Sequence, residues 1–246
     1  MRLTFLGTGA GNFRGSHRQM SGAFVEGILL DCGAGTTGRL HDAGLFDRVD
    51  GVVISHLHSD HIAGLFDLLL HTLITGRKRP LTIVSPPGLA PILRAMNDVG
   101  AMVKNPAELY DFQLVEGLHP EATLGRWKVR GIPMSHTVYN LGYLLETGDS
   151  TLFYTGDTRQ PSAPDGLRAD FVIHESTFAD RDAHLAEEFG HSTASQAARA
   201  ATVMGARRLF VTHIGGREGA ETEIFREVRA GFPDSTVAED SSQYDL

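Results

Sequence analysis

Four side chains able to bind a metal ion fall within the run Ser55-His56-Leu57-His58-Ser59-Asp60-His61. Imidazole and carboxylate together suit borderline transition metals, zinc above all, and two such groups side by side suit a pair of ions. The run follows Val52-Val53-Ile54, an apolar β-branched stretch that predicts a buried strand ending at Ser55. In an extended exit from that strand, His56 and His58 share one face, because side chains alternate with period two. Asp60 and His61 lie past the turn and can address a neighbouring position. The alternative is a polar loop that merely contains three histidines. Free imidazoles packed this tightly beside an apolar strand would then lack a reason.

The elements that must position this run are legible in outline. Strands are expected over Leu3–Leu6, Ala23–Leu30, Leu81–Val84, Tyr110–Val115, Trp127–Pro133, Asn140–Glu146, Thr151–Thr155, Phe171–Glu175 and Leu209–Thr212. Helices are expected over Thr37–Ala43, Leu65–Leu73, Leu89–Val99, the alanine-rich stretch from Ser192 or Thr193 to Met204, and Glu221–Arg229. The loop Gly7-Thr8-Gly9-Ala10-Gly11 has glycines that permit positive φ or close backbone approach, and it is no dinucleotide fingerprint, since no helix follows it. The tail with Val237 and Asp240 reads as surface.

Polar residues recur at the carboxyl ends of the apolar strands: Asp31, His56, His136, Asp157, Glu175 and His213. Open sheets place sites along that edge. Asp31 can orient a metal-bound imidazole by hydrogen bonding, or act as a helix cap or turn residue; the stretch alone leaves both open. Taken alone, Glu175 reads as an exposed charge and His191 as a capping-loop residue.

The chain has 246 residues, enough for a large core, and one domain is expected over 1–246. With 41% hydrophobic and 21% charged residues it has the composition of a globular protein. No apolar run approaches a membrane span, and Met1-Arg2-Leu3-Thr4-Phe5 leads straight into a strand rather than a signal peptide. The single cysteine, Cys32, fits a reducing cytoplasm. A net charge of −8 argues against broad nucleic-acid binding, but leaves room for a local basic rim from Arg14, His17, Arg18 and Arg77-Lys78-Arg79.

The full His-x-His-x-Asp-His run resembles the signature of the metallo-β-lactamase superfamily. The resemblance extends over nearly the whole chain, through His136, Asp157 in Gly-Asp-Thr, and His213 in Thr-His. It implies the αβ/βα sandwich, an α/β fold of two mixed β-sheets packed together with helices outside. It also implies ligand roles: His56, His58 and His136 on one metal, Asp60, His61 and His213 on a second, and Asp157 bridging them. Zinc is the first expectation, with manganese or iron as alternatives.

Within the superfamily the chain is similar to ribonuclease Z, the tRNA 3′-end processing endonuclease. The residues that carry this are Phe5-Leu6-Gly7-Thr8-Gly9-Ala10-Gly11, Leu30-Asp31-Cys32-Gly33-Ala34-Gly35-Thr36, Gly142-Tyr143, His174-Glu175-Ser176-Thr177, Gly190-His191-Ser192-Thr193 and Thr212-His213 with Arg217. The resemblance implies a phosphodiesterase in which Asp60 orients the attacking water and Glu175 and His191 act on the scissile phosphate and the leaving oxygen. Arg14, Arg18 and Arg217 are the candidate substrate contacts, and a homodimer is expected near the helix over Leu65–Leu73. The chain departs from the family pattern in three places. Only Leu144 to Gly156 joins Tyr143 to Asp157, where the family inserts a substrate-clamping arm. Leu144 replaces an arginine, and Ile214-Gly215-Gly216 replaces a serine-rich stretch. The expected substrate is therefore an RNA 3′ end or a small phosphodiester. The competing function is hydrolysis of another ester class, a thioester, lactone, β-lactam or aryl sulfate, and a non-catalytic metal-binding domain is a further class.

Overall fold

A computed structural model describes residues 1–11, 17–98, 112–160, 162–215, 217 and 219–246. Two seven-stranded mixed sheets lie face to face, each covered by helices on its outer side. The first contains β1 (Arg2–Gly7), β2 (Gly22–Val25), β3 (Ile28–Leu30), β4 (Gly51–Val53), β5 (Leu81–Ser85), β6 (Phe112–Glu116) and β14 (Gln243–Asp245), in the order β14-β1-β2-β3-β4-β5-β6. The second contains β7 (Glu121–Leu124), β8 (Trp127–Met134), β9 (Asn140–Glu146), β10 (Thr151–Tyr154), β11 (Phe171–Glu175), β12 (Arg208–Thr212) and β13 (Ser235–Val237), in the order β13-β12-β11-β10-β9-β8-β7. This is the sandwich that the resemblance implies.

Period-two alternation explains the layering. In β9, Leu141, Tyr143 and Leu145 face the core between the sheets, while Leu144 faces the outer layer. In β10, Leu152 and Tyr154 point inward and Phe153 outward. Strands apolar on both faces must be covered on both. Helices α1 (Thr36–Asp42), α2 (Ser59–Ile74) and α3 (Leu89–Asp98) cover the first sheet. Helices α5 (Ala194–Met204) and α6 (Ala220–Gly231) cover the second, with the short α4 (Ala183–Phe189) beside the site. Among the described residues, no helix is long and apolar enough to cross a membrane.

Several boundaries differ from the sequence reading. Ala23–Leu30 is not one strand but the hairpin β2–β3, turned at Glu26 and Gly27, whose φ values are 44° and 97°. Two adjacent positive φ values match the twist of a tight hairpin. The tail is not only surface: Val237 and Asp240 are half-buried. It supplies β13 to one sheet and β14 to the other, and Ala238 between them is fully buried. Asp240 accepts hydrogen bonds from Thr8 N–H at 2.9 Å and Gln19 N–H at 2.7 Å, fastening the tail to the first glycine loop. The glycines of that loop have no positive φ; close approach explains them. A Cβ on Gly7 would sit 1.9 Å from the Met20 carbonyl oxygen, and one on Gly11 2.9 Å from Asp60 Oδ2.

Candidate active site

The strand ends converge on one edge of the sandwich. Strands β3 and β4 run parallel in one sheet, and β10, β11 and β12 run parallel in the other. Strand β8 is antiparallel to β9, as β9 is to β10, so β8 ends on the same edge. Asp31, His56, His136, Asp157, Glu175 and His213 therefore meet across the seam. Helix α2 starts at Ser59, six residues before the sequence reading placed it, with His58 as its extended N-cap. Asp60 and His61 thus occupy the first helical turn, where a carboxylate complements the helix dipole. Helix α2 approaches the loop after β3 so closely that a Cβ on Gly64 would lie 2.2 Å from the Gly33 carbonyl oxygen. Only glycine permits that contact.

Two donor clusters result. His56 Nε2 lies 3.0 Å from His58 Nδ1, and His136 Nε2 lies 3.4 Å from the same atom. In the second cluster, His61 Nε2 lies 3.2 Å from His213 Nε2, and Asp60 Oδ2 lies 3.4 Å from the latter. Asp157 stands between them, with Oδ2 3.6 Å from His56 Nε2, 3.3 Å from His61 Nε2 and 3.4 Å from His213 Nε2. Its Oδ1 is buried without a hydrogen-bond partner. Imidazole nitrogens turned toward one another at such distances, with an unsatisfied carboxylate oxygen among them, are the donor set of a cation site. The residues present fit divalent metal ions.

Outward hydrogen bonds fix the rings. Asp31 is fully buried and accepts from His61 Nδ1–H at 2.7 Å, Ser55 N–H at 2.6 Å, Ser55 Oγ–H at 2.7 Å and Tyr154 O–H at 2.5 Å. His136 Nδ1–H donates to the Gly190 carbonyl at 2.7 Å, and His213 Nδ1–H to Thr177 Oγ1 at 2.9 Å. Such bonds set the tautomer and leave the other nitrogen free for a metal. Asp31 and His213 both have φ of 55°, an uncommon conformation for residues with a Cβ, as found where a site stores strain. Burial holds His56, His58 and His136 below the ordinary histidine range, which favours the neutral ring. Burial works against charged His61 too, but Asp157 and Asp31 outweigh it and raise that group well above its ordinary value. Burial would raise Asp157, and the surrounding imidazoles hold it well below the usual carboxylate range instead.

Beside the clusters lies a second couple. Glu175 ends β11 and is buried, and His191 Nδ1–H donates to its Oε1 at 3.1 Å. Glu175 also accepts from the backbone N–H groups of Thr158, Ser192 and Thr177, each at 3.0 Å, and from Thr177 Oγ1–H at 2.8 Å. Burial penalises the imidazolium, but the Glu175 carboxylate outweighs it and pushes His191 up to about 9. The sequence reading gave no role to Thr177, which links Glu175 to His213, nor to Ser55 and Tyr154, which hold Asp31. Tyr154 gave no signal at all, since it reads as one more apolar strand residue.

The basic candidates fare differently. Arg14 lies outside the described residues. Arg18 is not presented to a substrate: its guanidinium binds Glu221, Thr8 Oγ1 and the Ala238 carbonyl, clamping the tail. Arg77 donates to the Phe46 and Val49 carbonyls and Arg79 to Asp50, just before β4 begins, whereas the site follows the other end of that strand. Arg217 is exposed at the cavity and pairs with Asp182 at 2.6 Å.

The model of the beta-lactamase superfamily domain matches residues 27–214, and the chain belongs to that superfamily. Its curated relatives include the ribonuclease Z of Natronomonas pharaonis, 31% identical over all of this chain and 98% of that protein. That alignment spans 302 positions against the 246 residues here, so the relative carries segments that this chain lacks. The structure of the short form of human tRNase Z superposes with a TM-score of 0.80 at 27% identity, covering 100% of this chain and 99% of that one. The metallo-beta-lactamase fold protein YhfI of Bacillus subtilis superposes at 0.81 with 23% identity, covering 99% and 98%. Within the superfamily, this chain is a metal-dependent hydrolase of the ribonuclease Z-like type.

Proposed function

We propose that the chain hydrolyses phosphodiesters, RNA 3′ ends or small diesters, at a dinuclear zinc-type centre. In this reading His56, His58 and His136 would hold one ion, Asp60, His61 and His213 the other, and Asp157 would contribute to both. The observation that carries it is the Glu175–His191 couple, 3.1 Å apart and opening on the cavity shared with the two donor clusters. When bound, the two cations supply Lewis acidity and a nucleophile at neutral pH. The chain's own residues do the rest. Asp60 is held by Gly11 N–H at 2.9 Å and would orient the attacking water. His191 has its Nδ1 tied to Glu175, so Nε2 donates a proton to the leaving alkoxide as the phosphorus–oxygen bond breaks. Relatives named ribonuclease Z support RNA as the substrate class. The lone, fully buried Cys32 fits a reducing cytoplasm, and the outer end of α2 fits self-association into a homodimer.

Hydrolysis of another ester class is the second reading. A thioesterase or lactonase has no need of a buried acid–base couple beside its metal ligands. Turnover of bis(p-nitrophenyl) phosphate beside a precursor tRNA, a thioester and a lactone tests the proposal. Activity confined to the last two overturns it.

A further inference from the structure

We infer that Phe178, Leu185 and Phe189 form a stacking shelf for the nucleobase of the leaving nucleoside. This deepens the phosphodiesterase reading of the same cavity and rests on it. The cavity measures about 570 Å³, within the range of small-molecule sites. One part of its lining is the donor cluster; another is these three apolar side chains. The Phe178 and Phe189 rings lie within 18° of parallel, with centroids 6.5 Å apart, and Phe178 is 6.1 Å from the His191 ring. Leu185 and Phe189 stand four residues apart on α4 and so share a face. Gly190, at φ 78°, then turns the chain so that His191 follows the shelf directly.

Phe189 is 52% exposed. With Phe178 and Leu185 it forms one apolar patch in the cavity wall, and an apolar patch rimmed by polar groups marks a binding surface. Charge indicates which ligand. Glu187 and Glu188 precede Phe189 on α4 in exposed positions, Arg159 faces Glu187 at 3.8 Å, and Arg217 pairs with Asp182 at 2.6 Å. A long polyanion would find both of these cations already paired with acids. A flat base needs only a π-face, and stacking does not depend on charge. The side of the scissile bond follows from His191. If its proton goes to the leaving oxygen, the group attached to that oxygen extends past His191 toward Phe178.

The test uses the metal-loaded protein and three substrates: a dinucleoside monophosphate and its two versions with one base removed. The product that carries no phosphate is the leaving nucleoside. Removing the leaving nucleoside's base should lower kcat/KM roughly tenfold, chiefly through KM, the scale of one base on one aromatic ring. Phe189→Ala should bring the ratio of intact to abasic substrate close to one, and Phe189→Trp should restore it. Independently, 2-aminopurine at the leaving position of a non-cleavable phosphonate analogue should lose fluorescence on binding the wild type and keep it with Phe189→Ala. No preference in the wild type, or a Phe189→Ala loss equal on intact and abasic substrates, overturns the shelf while leaving the phosphodiesterase reading intact. Failure to cleave either the dinucleotide or bis(p-nitrophenyl) phosphate overturns both.

Discussion

His191 Nδ1 stands 3.1 Å from Glu175 Oε1, and that carboxylate takes four more hydrogen bonds from Thr158, Ser192 and Thr177. Glu175 is thereby locked before any substrate arrives. His191 can rotate only at the cost of its partner, so its free nitrogen has a fixed direction. An imidazole fixed in this way would, in the proposed role of acid, gain its effect from geometry that is already in place.

The first prediction concerns the leaving group. A sugar alkoxide needs a proton as it departs, and a nitrophenolate does not. His191→Ala should slow cleavage of a ribose diester by about 10²–10⁴-fold, the usual scale of general acid help. Cleavage of bis(p-nitrophenyl) phosphate should fall far less. Equal slowing of both substrates would assign His191 to positioning rather than proton donation.

Metal content gives the second. Asp157 Oδ2 faces histidines of both clusters, at 3.6 Å from His56 Nε2 and 3.3 Å from His61 Nε2. Elemental analysis of the purified protein should find about two zinc-type ions per chain, as for a two-metal hydrolase. Asp157→Ala should lose both. His136→Ala should mainly empty the cluster of His56 and His58. A folded protein without transition metal would refute the dinuclear proposal.

A third follows from the charge state of His191 in the metal-free protein. Its ordinary value is 6.5 and the folded value is raised to about 9. A raised folded value means that the native state binds the proton more tightly. The resulting stabilisation is complete below pH 6.5 and disappears as pH rises through about 9. Its size is about 1–3 kcal/mol, given partial solvent access. In chelator, the wild type should therefore lose stability between these pH values relative to His191→Gln, measured by urea unfolding. A stability difference independent of pH would contradict the assignment.

Legibility in the sequence tracked how local each arrangement is. His56 to His61 are contiguous and follow an apolar strand, and Asp31, Asp157, Glu175 and His213 each end one, so period and type alone brought them to notice. The start of α2 is hidden because the polar, metal-type side chains Asp60 and His61 fill its first turn and interrupt the apolar period. The β2–β3 hairpin was hidden because Val25 and Ile28 are both buried and read as one run. Strand β14 presents only Tyr244 to the core, too little for a pattern, although its ring meets Phe5 at 6.0 Å and Phe210 at 5.1 Å. The partners of Arg18 and Arg77 are not legible because a positive charge does not reveal what it binds. Glu221 and the Phe46 carbonyl are far away along the chain, and only the fold brings them close.

The fourth prediction concerns α2. Its apolar residues outnumber what one face needs, but Leu65, Leu68 and Leu69 are buried, and Phe66 and Leu73 pack partly against the same core. What remains outside is Ile74, 69% exposed at the last position of the helix, with Leu70 half-buried one turn before it. If the homodimer forms here, light scattering at micromolar concentration should report two chains, and Ile74→Glu should yield one without loss of fold. A wild-type monomer under those conditions would rule the dimer out.

The last prediction sets folded tRNA against small diesters. Strands β9 and β10 are joined by the bare loop 147–150, closed by Thr147 N–H on the Ser150 carbonyl at 2.9 Å. No arm rises there. Affinity for a folded polyanion is carried by cations that neutralise phosphates, and it declines steeply with salt. Here the net charge is −8, and Arg18, Arg77 and Arg79 are engaged within the protein. Precursor tRNA should accordingly bind weakly at physiological salt, and a dinucleotide or single-stranded diester should be cleaved with comparable kcat/KM. Arg217 lines the cavity with its guanidinium exposed despite the pair with Asp182, and so is a candidate contact for a substrate phosphate. Arg217→Ala should raise KM for both substrates alike. Much faster cleavage of precursor tRNA, with tight binding at physiological salt, would mean that another part of the chain clamps the tRNA and that small diesters are not the preferred substrates.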